Sequence, residues 1–229
     1  MIPIRDTQRS QRVPLVNYAL IAACAAAFVL ELRAGPEIDA FIDSYALYPG
    51  RFVALVAKRG VLDVALYAPL ASSMFLHAGF AHFAGNMLFL WIFGDNVEDR
   101  LGHVGYAVFY LLGGVAAALA HVAADPASVV PTVGASGAIA AVMGAYMLLY
   151  PGAHVQSLVL FGFFMRVVSV PAVVWLGIWF VFQIVAGAQS SAVPGQGGVA
   201  WWAHAGGFVF GAVTVLVFGL RGSRPAPAR

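Results

Sequence analysis

The sequence predicts an all-α membrane protein, a bundle of six transmembrane helices with a short, central fourth helix. The chain of 229 residues is 62% hydrophobic and only 10% charged, and its mean hydropathy is +0.87. Soluble domains average about 45–50% apolar and about 25% charged residues, so this composition indicates an integral membrane protein. The apolar segments are long and lack the short alternating pattern of a closed barrel, which favours helices.

The first third of the chain predicts a tail, one span and a structured loop. Residues 1–12 are polar, and residues 13–32 form an apolar run of about the length that crosses a bilayer. A cleaved signal peptide is the alternative, because residues 22–27 include small side chains, but the apolar run is longer than a usual signal core. Residues 35–79 mix charges with short apolar pieces, which predicts an outer loop with short helices at the membrane surface.

Five further spans complete a predicted domain over residues 13–220. Residues 154–170 are apolar but contain Arg166 and end at Pro171, so we expect them to be partly interfacial. Residues 187–199 have the Gly, Ser and Pro content of a flexible loop, and residues 221–229 form a basic tail. The predicted spans are residues 80–97, 104–124, 135–150, 172–186 and 201–220.

The distribution of basic residues predicts the orientation. With six spans, both termini lie on one side, and an internal N-terminus places eight basic residues inside and four outside. Basic residues are enriched in cytoplasmic segments, which favours cytoplasmic termini in the cell membrane. The predicted inner residues are Arg5, Arg9, Arg12, Arg100, Arg166, Arg221, Arg224 and Arg229; the outer ones are Arg33, Arg51, Lys58 and Arg59.

Four polar side chains are predicted to lie at one depth below the outer surface. Ser136 begins the fourth span, His204 is near the start of the sixth, and His82 and Asn86 share one face of the second. All three spans run from outside to inside in this orientation. Polar groups in hydrocarbon usually face a bundle interior or a wet cavity. Each one alone is explained by a hydrogen bond between packed helices, but the group of four points to a site.

Small residues predict that the fourth and sixth spans pack closely. Such residues let two helices approach, and Gly207 and Gly211 have the spacing of a small-x-x-x-small motif. Close packing would bring Ser136 to His204. The small residues are Gly137, Ala138, Ala140, Ala141, Gly144 and Ala145 in the fourth span, and Ala203, Gly206, Gly207 and Gly211 in the sixth.

The residue types predict nucleophilic catalysis by a Ser136–His204 dyad. A serine hydroxyl needs a base, and histidine serves as one near neutral pH. No Asp or Glu follows Asp125, so a carboxylate partner for His204 would have to come from the loops or span ends. Ser136 N–H at a helix start, with His82 and Asn86 as side-chain donors, would bind a developing oxyanion.

Other chemistries lack the residues they need. The only lysine, Lys58, lies in the outer loop, which excludes a Ser–Lys dyad. There is no His-Glu-x-x-His motif for a zinc protease, and the aspartates lie in loops or at span ends rather than in mid-span pairs. Cys24 is the only cysteine, so no thiolate metal site is expected. We predict no metal and no cofactor, and the absence of a basic stripe argues against nucleic acid.

Three motifs resemble the rhomboid family of intramembrane serine proteases. They are Gly134-Ala135-Ser136-Gly137, Ala203-His204-Ala205-Gly206-Gly207, and His77 followed by His82-x-x-x-Asn86. The resemblance implies Ser136 as nucleophile, His204 as base, and Ser136 N–H, His82 and Asn86 as the oxyanion site. Glu98-Asp99-Arg100 resembles the family's Glu-x-Arg, which braces the inner end of the second span. Substrates would be single membrane helices in the lipid bilayer, entering sideways and cut near the outer face.

The sequence departs from the family pattern in two places. Many relatives carry an aromatic residue one turn after the serine, stacked on the histidine, but Ala140 stands there. Trp201, Trp202 and Met143 are the candidates to replace it. The Trp-Arg pair that some relatives have in the first loop is absent as well. The bulky fifth span and residues 187–199 are candidates for gate and cap, with lipid-facing bulk and a plain connector as the alternative.

Three functions compete on these observations. The first is a rhomboid-type serine protease, and retention of Ser136 and His204 favours it. The second is a non-catalytic rhomboid-like protein that binds membrane helices. The third is a transporter or channel, which needs a polar path to the inner face; residues 87–93 are instead entirely apolar.

Overall fold

The protein consists of nine α-helices and one small sheet in the residues that the computed structural model describes, which are 1–61, 63–161, 164–191 and 199–220. The helices are α1 (Leu15–Ala34), α2 (Ile38–Tyr45), α3 (Pro49–Arg59), α4 (Tyr67–Ser72), α5 (Phe80–Leu101), α6 (His103–Ala124), α7 (Ser136–Leu149), α8 (Ala172–Ser191) and α9 (Trp201–Val217). The strands are β1 (Ile2–Asp6), β2 (His154–Phe161) and β3 (Phe164–Pro171). Single 3-10 turns lie at Gly35–Glu37, Val64–Leu66 and Ser73–Phe75.

Several helices have the length and hydropathy of membrane spans. Within the described residues these are Leu15–Tyr45, which contains α1, together with α6 and Ala172–Ser190 of α8. Tyr67–Phe75 and α5 form a fourth candidate, bent by 91°. Two further apolar helices, α7 and α9, are shorter, with 14 and 17 residues. The chain is therefore a multi-pass membrane protein, and its predicted count of six spans stays a prediction.

Helix α7 is the most enclosed element of the bundle. It packs against α5, α6, α8 and α9, and 11 of its 14 residues are buried. Its small residues allow this: a methyl group on Gly144 would overlap the carbonyl oxygen of Phe208, and one on Gly211 would overlap that of Ala141. The α7 and α9 backbones thus meet where side chains are absent.

Two helices continue past the approximate ends predicted for their spans. The second span was expected to end at residue 97, but α5 continues to Leu101 and carries the charged cluster in its last turn. The fifth was expected to end at residue 186, but α8 continues to Ser191. The predicted flexible loop 187–199 therefore begins as helix, and most of its remainder lies outside the described residues, as does the basic tail 221–229.

The prediction of a purely helical chain was wrong for two segments. Strands β1, β2 and β3 form an antiparallel sheet in that order, and β1 belongs to the residues that we expected to be a polar tail. In β1–β2, Ile2 pairs with Leu158; β2 and β3 form a hairpin in which Val155 pairs with Val170. Valines are frequent in the hairpin segment and favour extended backbone. The segment expected to be interfacial is thus a β-hairpin between α7 and α8.

The sheet is fastened to the ends of α5 and α7 that lie away from Ser136. Asp6 accepts hydrogen bonds from the hydroxyl of Tyr146 and, at 3.1 Å, from the amide of Asn96. The Thr7 N–H donates to the carbonyl of His154 at 3.0 Å. We call this end of the bundle the sheet end, and the end that carries Ser136 the site end.

Glu98 and Arg100 tie the sheet end of α5 to two other helices. Glu98 is 2% exposed, and its carboxylate accepts the backbone N–H groups of Val16 at 2.9 Å and Asn17 at 2.7 Å. These N–H groups belong to the first turn of α1, where no intrahelical acceptor exists. Arg100 donates two bonds to the carbonyl of Leu220, beyond the end of α9. The Glu-x-Arg pair therefore holds α1 and α9 to α5.

Candidate active site

Ser136 and His204 meet at the site end of the α7–α9 interface. The Oγ of Ser136 lies 2.8 Å from Nε2 of His204, within hydrogen-bond distance. Ser136 is the first residue of α7 and His204 lies in the first turn of α9, so each helix presents its residue at the same end. A methyl group on Gly207 would overlap the carbonyl oxygen of Gly137, so the glycines allow this approach. His204 is only 9% exposed.

The backbone before Ser136 is held by the segment between α1 and α5. Thr132 and Leu47 exchange two backbone hydrogen bonds, at 2.7 Å and 3.2 Å, and Gly134 N–H donates to the carbonyl of Ser73 at 2.9 Å. Gly134 has φ +127°, a conformation that side-chain-bearing residues rarely adopt. The turn into α7 is therefore fixed before the helix begins, and Ser136 N–H is one of the helix-start donors without an intrahelical acceptor.

His82 borders the same space as Ser136. A methyl group on Gly134 would stand 2.9 Å from Nε2 of His82 and 3.5 Å from Oγ of Ser136. The backbone N–H of Ala78 donates to Nδ1 of His82 at 3.3 Å. A neutral imidazole that accepts at Nδ1 carries its proton on Nε2. Nε2, the nitrogen that lies beside Gly134, is consequently a hydrogen-bond donor.

Asn86 lies one helical turn beyond His82 on α5. It is 7% exposed, and its Nδ2 has no hydrogen-bond partner among the residues that the structure describes. Buried amide donors are normally paired, and leaving one unpaired costs about 1–3 kcal/mol. The amide is thus an unused donor on the helix face that carries His82.

Two side chains of α8 that were not predicted as site residues contact His204. Gln183 is 3% exposed, and its Oε1 lies 2.7 Å from Nδ1 of His204. The ring of Trp179 lies 5.8 Å from the imidazole, centroid to centroid, at 36°. Gln183 is the one amide or charged side chain in residues 172–186. A lone polar residue in an apolar span was the signal that could have identified it.

The ring of His204 is enclosed by aromatic side chains from α8 and α9. Trp201, a candidate from the sequence, meets it edge-on at 6.3 Å. Ala140, at the position where many relatives place an aromatic residue, is fully buried. Trp179 of α8 thus lies beside the imidazole, whereas α7 has an alanine at the position where many relatives carry an aromatic residue.

The space beside Ser136 is small, although Ser136 itself is half-buried rather than fully enclosed. A cavity of about 20 Å³ borders Ser136 and is lined by α6, α7 and residues 132–134 and 200–203, enough for about one water molecule. Trp175 of α8 packs on Phe89 and Phe93 of α5, with ring centroids 5.8 Å and 6.2 Å apart. Phe180 stacks on Phe208 at 4.6 Å. These ring contacts hold α8 against α5 and α9.

A family model and one relative match most of this chain, and other relatives match about a third of it. The family model described as "Rhomboid domain" matches residues 66–221. Rhomboid protein 1, mitochondrial, of Saccharomyces cerevisiae is 31% identical over 198 residues, 85% of this chain and 50% of the yeast protein. Rhomboid-like protein 11, chloroplastic, of Arabidopsis thaliana is 37% identical over 87 residues, 35% of this chain and 31% of its own length. Rhomboid protease GluP of Bacillus subtilis is 40% identical over 81 residues, 35% of this chain and 15% of its own length. The chain thus spans half or less of these relatives.

Proposed function

This chain belongs to the rhomboid family, and on that premise we propose that it is an intramembrane serine endopeptidase acting through a Ser136–His204 dyad. The observation that carries the proposal is the 2.8 Å separation of Ser136 Oγ and His204 Nε2 at the start of two closely packed helices. A serine and a histidine in this relation are the minimum for nucleophilic acyl transfer.

The reaction follows from the two side chains. His204 takes the proton of the Ser136 hydroxyl as Oγ attacks the peptide carbonyl, and the imidazolium then protonates the leaving amine. Water then attacks the acyl-enzyme with His204 again as base. The bond between the acyl carbon and Ser136 Oγ breaks, the imidazolium returns its proton to Oγ, and the carboxylate product leaves. The small cavity beside Ser136 supplies a place for that water.

The oxyanion of each tetrahedral intermediate needs donors that are already in place. Ser136 N–H at the start of α7 is one, and the proton on Nε2 of His82 is a second. The amide of Asn86 is the third donor. Its Nδ2 has no partner among the described residues, so it is available to bind an oxyanion. Losing one such donor typically costs about 100- to 1000-fold in rate.

The substrates in this proposal are single-span membrane proteins, cut near the outer face of the cell membrane. Both termini of the enzyme lie in the cytoplasm, and six helices cross the bilayer. Substrate enters sideways past α8 in this proposal, because α8 lies against α5 through the ring of Trp175 and against α9 through the ring of Phe180. Separation of α8 from α5 would admit a helix from the lipid.

Labelling with a fluorophosphonate probe in detergent tests the enzyme function. Wild type and Ser169→Ala, a serine substituted at the sheet end, should take the label and cut a single-span reporter protein. Ser136→Ala and His204→Ala should do neither while remaining folded by size-exclusion chromatography. A folded wild type that takes no label and cuts no reporter contradicts the proposal. If that protein still binds the reporter helix, the function is that of a non-catalytic helix-binding protein.

A further inference from the structure

Helix α8 places the side-chain amide of Gln183 on the side of His204 that faces away from Ser136. Oε1 of Gln183 lies 2.7 Å from Nδ1 of His204, and Nε2 of the same ring lies 2.8 Å from Ser136. A carbonyl oxygen only accepts, so Nδ1 must donate, and in a neutral imidazole the lone pair is then on Nε2. This is the tautomer that can take the proton of Ser136.

We propose that Gln183 is a positioning residue for His204, the third member of a Ser136–His204–Gln183 relay. The inference rests on the proposed function and deepens it. In a serine-protease triad the third group holds the tautomer and orientation of the imidazole and stabilises its cation. Gln183 stands at that position. By accepting a hydrogen bond from Nδ1–H, it holds the tautomer and the orientation of the imidazole.

An amide suits this location better than a carboxylate. Gln183 is 3% exposed, and an ionised group buried to that degree is costly unless it is paired. The oxygen end of an amide dipole attracts the imidazolium less strongly than a full negative charge does. A glutamine thus selects the tautomer with no buried charge in the resting site.

A second contact from α8 supports the assignment. Trp179 and Gln183 are four residues apart, so they lie on one face of α8, and both meet the same imidazole. One packs beside the ring and the other holds its nitrogen. The orientation of His204 is consequently coupled to the docking of α8, the helix whose movement would admit substrate.

The test measures fluorophosphonate labelling of the full chain across pH, separating the maximal labelling rate from the half-saturating probe concentration. Gln183→Met keeps the length of the side chain and removes the acceptor. We expect its maximal rate to fall on the order of 100-fold with little change in half-saturation. Gln183→Glu restores the acceptor and should recover at least about ten-fold of that loss. Gln189→Met and Gln189→Glu, at an exposed glutamine of α8, are the matched controls.

The pH profile separates positioning from structural support. A carboxylate beside Nδ1 stabilises the imidazolium, so Gln183→Glu should move the acidic limb of the profile to higher pH. The idea is overturned if folded Gln183→Met labels within about twofold of wild type, since general-base catalysis is worth far more than that. Where Gln183→Met does not fold, an unchanged profile for folded Gln183→Glu overturns it. Failure of wild type to label instead contradicts the protease function itself.

Discussion

The close approach of α9 to α7 sets the distance between the two candidate catalytic side chains, and a single methyl group tests this. In Gly207→Ala the new Cβ would overlap the carbonyl oxygen of Gly137 and stand 3.1 Å from its carbonyl carbon. Gly207 is one turn from His204, and Gly137 follows Ser136. The overlap therefore lies directly beside the dyad.

The size of the effect follows from these distances. Non-bonded carbon atoms prefer a separation of about 3.5–4.0 Å, and the carbonyl oxygen of Gly137 lies closer to the new Cβ than its carbon does. Relieving both contacts therefore requires α9 to move away from α7 by about 1 Å. The Ser136–His204 distance would grow from 2.8 Å to about 3.8 Å, which is no longer a hydrogen bond. A misplacement of about 1 Å costs on the order of 100-fold in rate. The overpacking itself costs roughly 1–3 kcal/mol of stability.

The assay is the rate of fluorophosphonate labelling per folded molecule, with folding followed by size-exclusion chromatography and thermal unfolding in detergent. Gly177→Ala is the control, because its Cβ would meet nothing within 4 Å. Gly211→Ala overlaps Ala141 one turn further from the dyad, so it should lower stability similarly and activity less. Folded Gly207→Ala that labels at the wild-type rate would refute the reasoning.

Three further outcomes are expected. Burial raises the pKa of Asp6 to about 7, above about 3.9 in an unfolded chain, so the folded state binds more protons between these values and stability falls as pH rises through them. Asp6→Asn should therefore remove this pH dependence of the melting temperature between about pH 4 and pH 7, and an unaltered slope would contradict the expectation. Glu98→Gln replaces one carboxylate oxygen that accepts an α1 N–H group by an NH₂ donor. It should lower the free energy of unfolding by about 2 kcal/mol, measured as a lower melting temperature, and an unchanged melting temperature would show that these hydrogen bonds are dispensable. Ala140→Phe inserts a ring at a fully buried position and should destabilise by roughly 1–3 kcal/mol, whereas a stability equal to wild type would mean that space exists there.

Much of the site geometry is accessible from sequence because it depends on local features of helices. The small residues of α7 and α9 predict close packing, and their order predicts that Ser136 and His204 face the same end. The aromatic partner of His204 is less accessible. A tryptophan in an apolar helix gives no signal that distinguishes a lipid-facing side chain from one that packs beside an imidazole, as Trp179 does.

The sheet shows what the sequence does not reveal. Strand β1 pairs with β2 across about 150 residues, and a five-residue segment carries no local pattern that names so distant a partner. The hairpin was more accessible, because the valines of residues 154–171 favour extended backbone. The hairpin segment is also apolar overall, so in a chain of apolar helices it is difficult to distinguish from a further helix.

The small sheet also constrains how the polypeptide is threaded. Backbone groups of adjacent strands must share one aqueous face, since an open sheet does not extend through hydrocarbon. Asp6 and Val155 are partners in it, so the chain between them traverses the bilayer an even number of times. If α1, α5 and α6 each traverse it once, parity assigns the fourth passage to α7, despite its 14 residues. A helix of that length spans only about 21 Å, so the helices that enclose α7 would have to shield its two ends from the lipid.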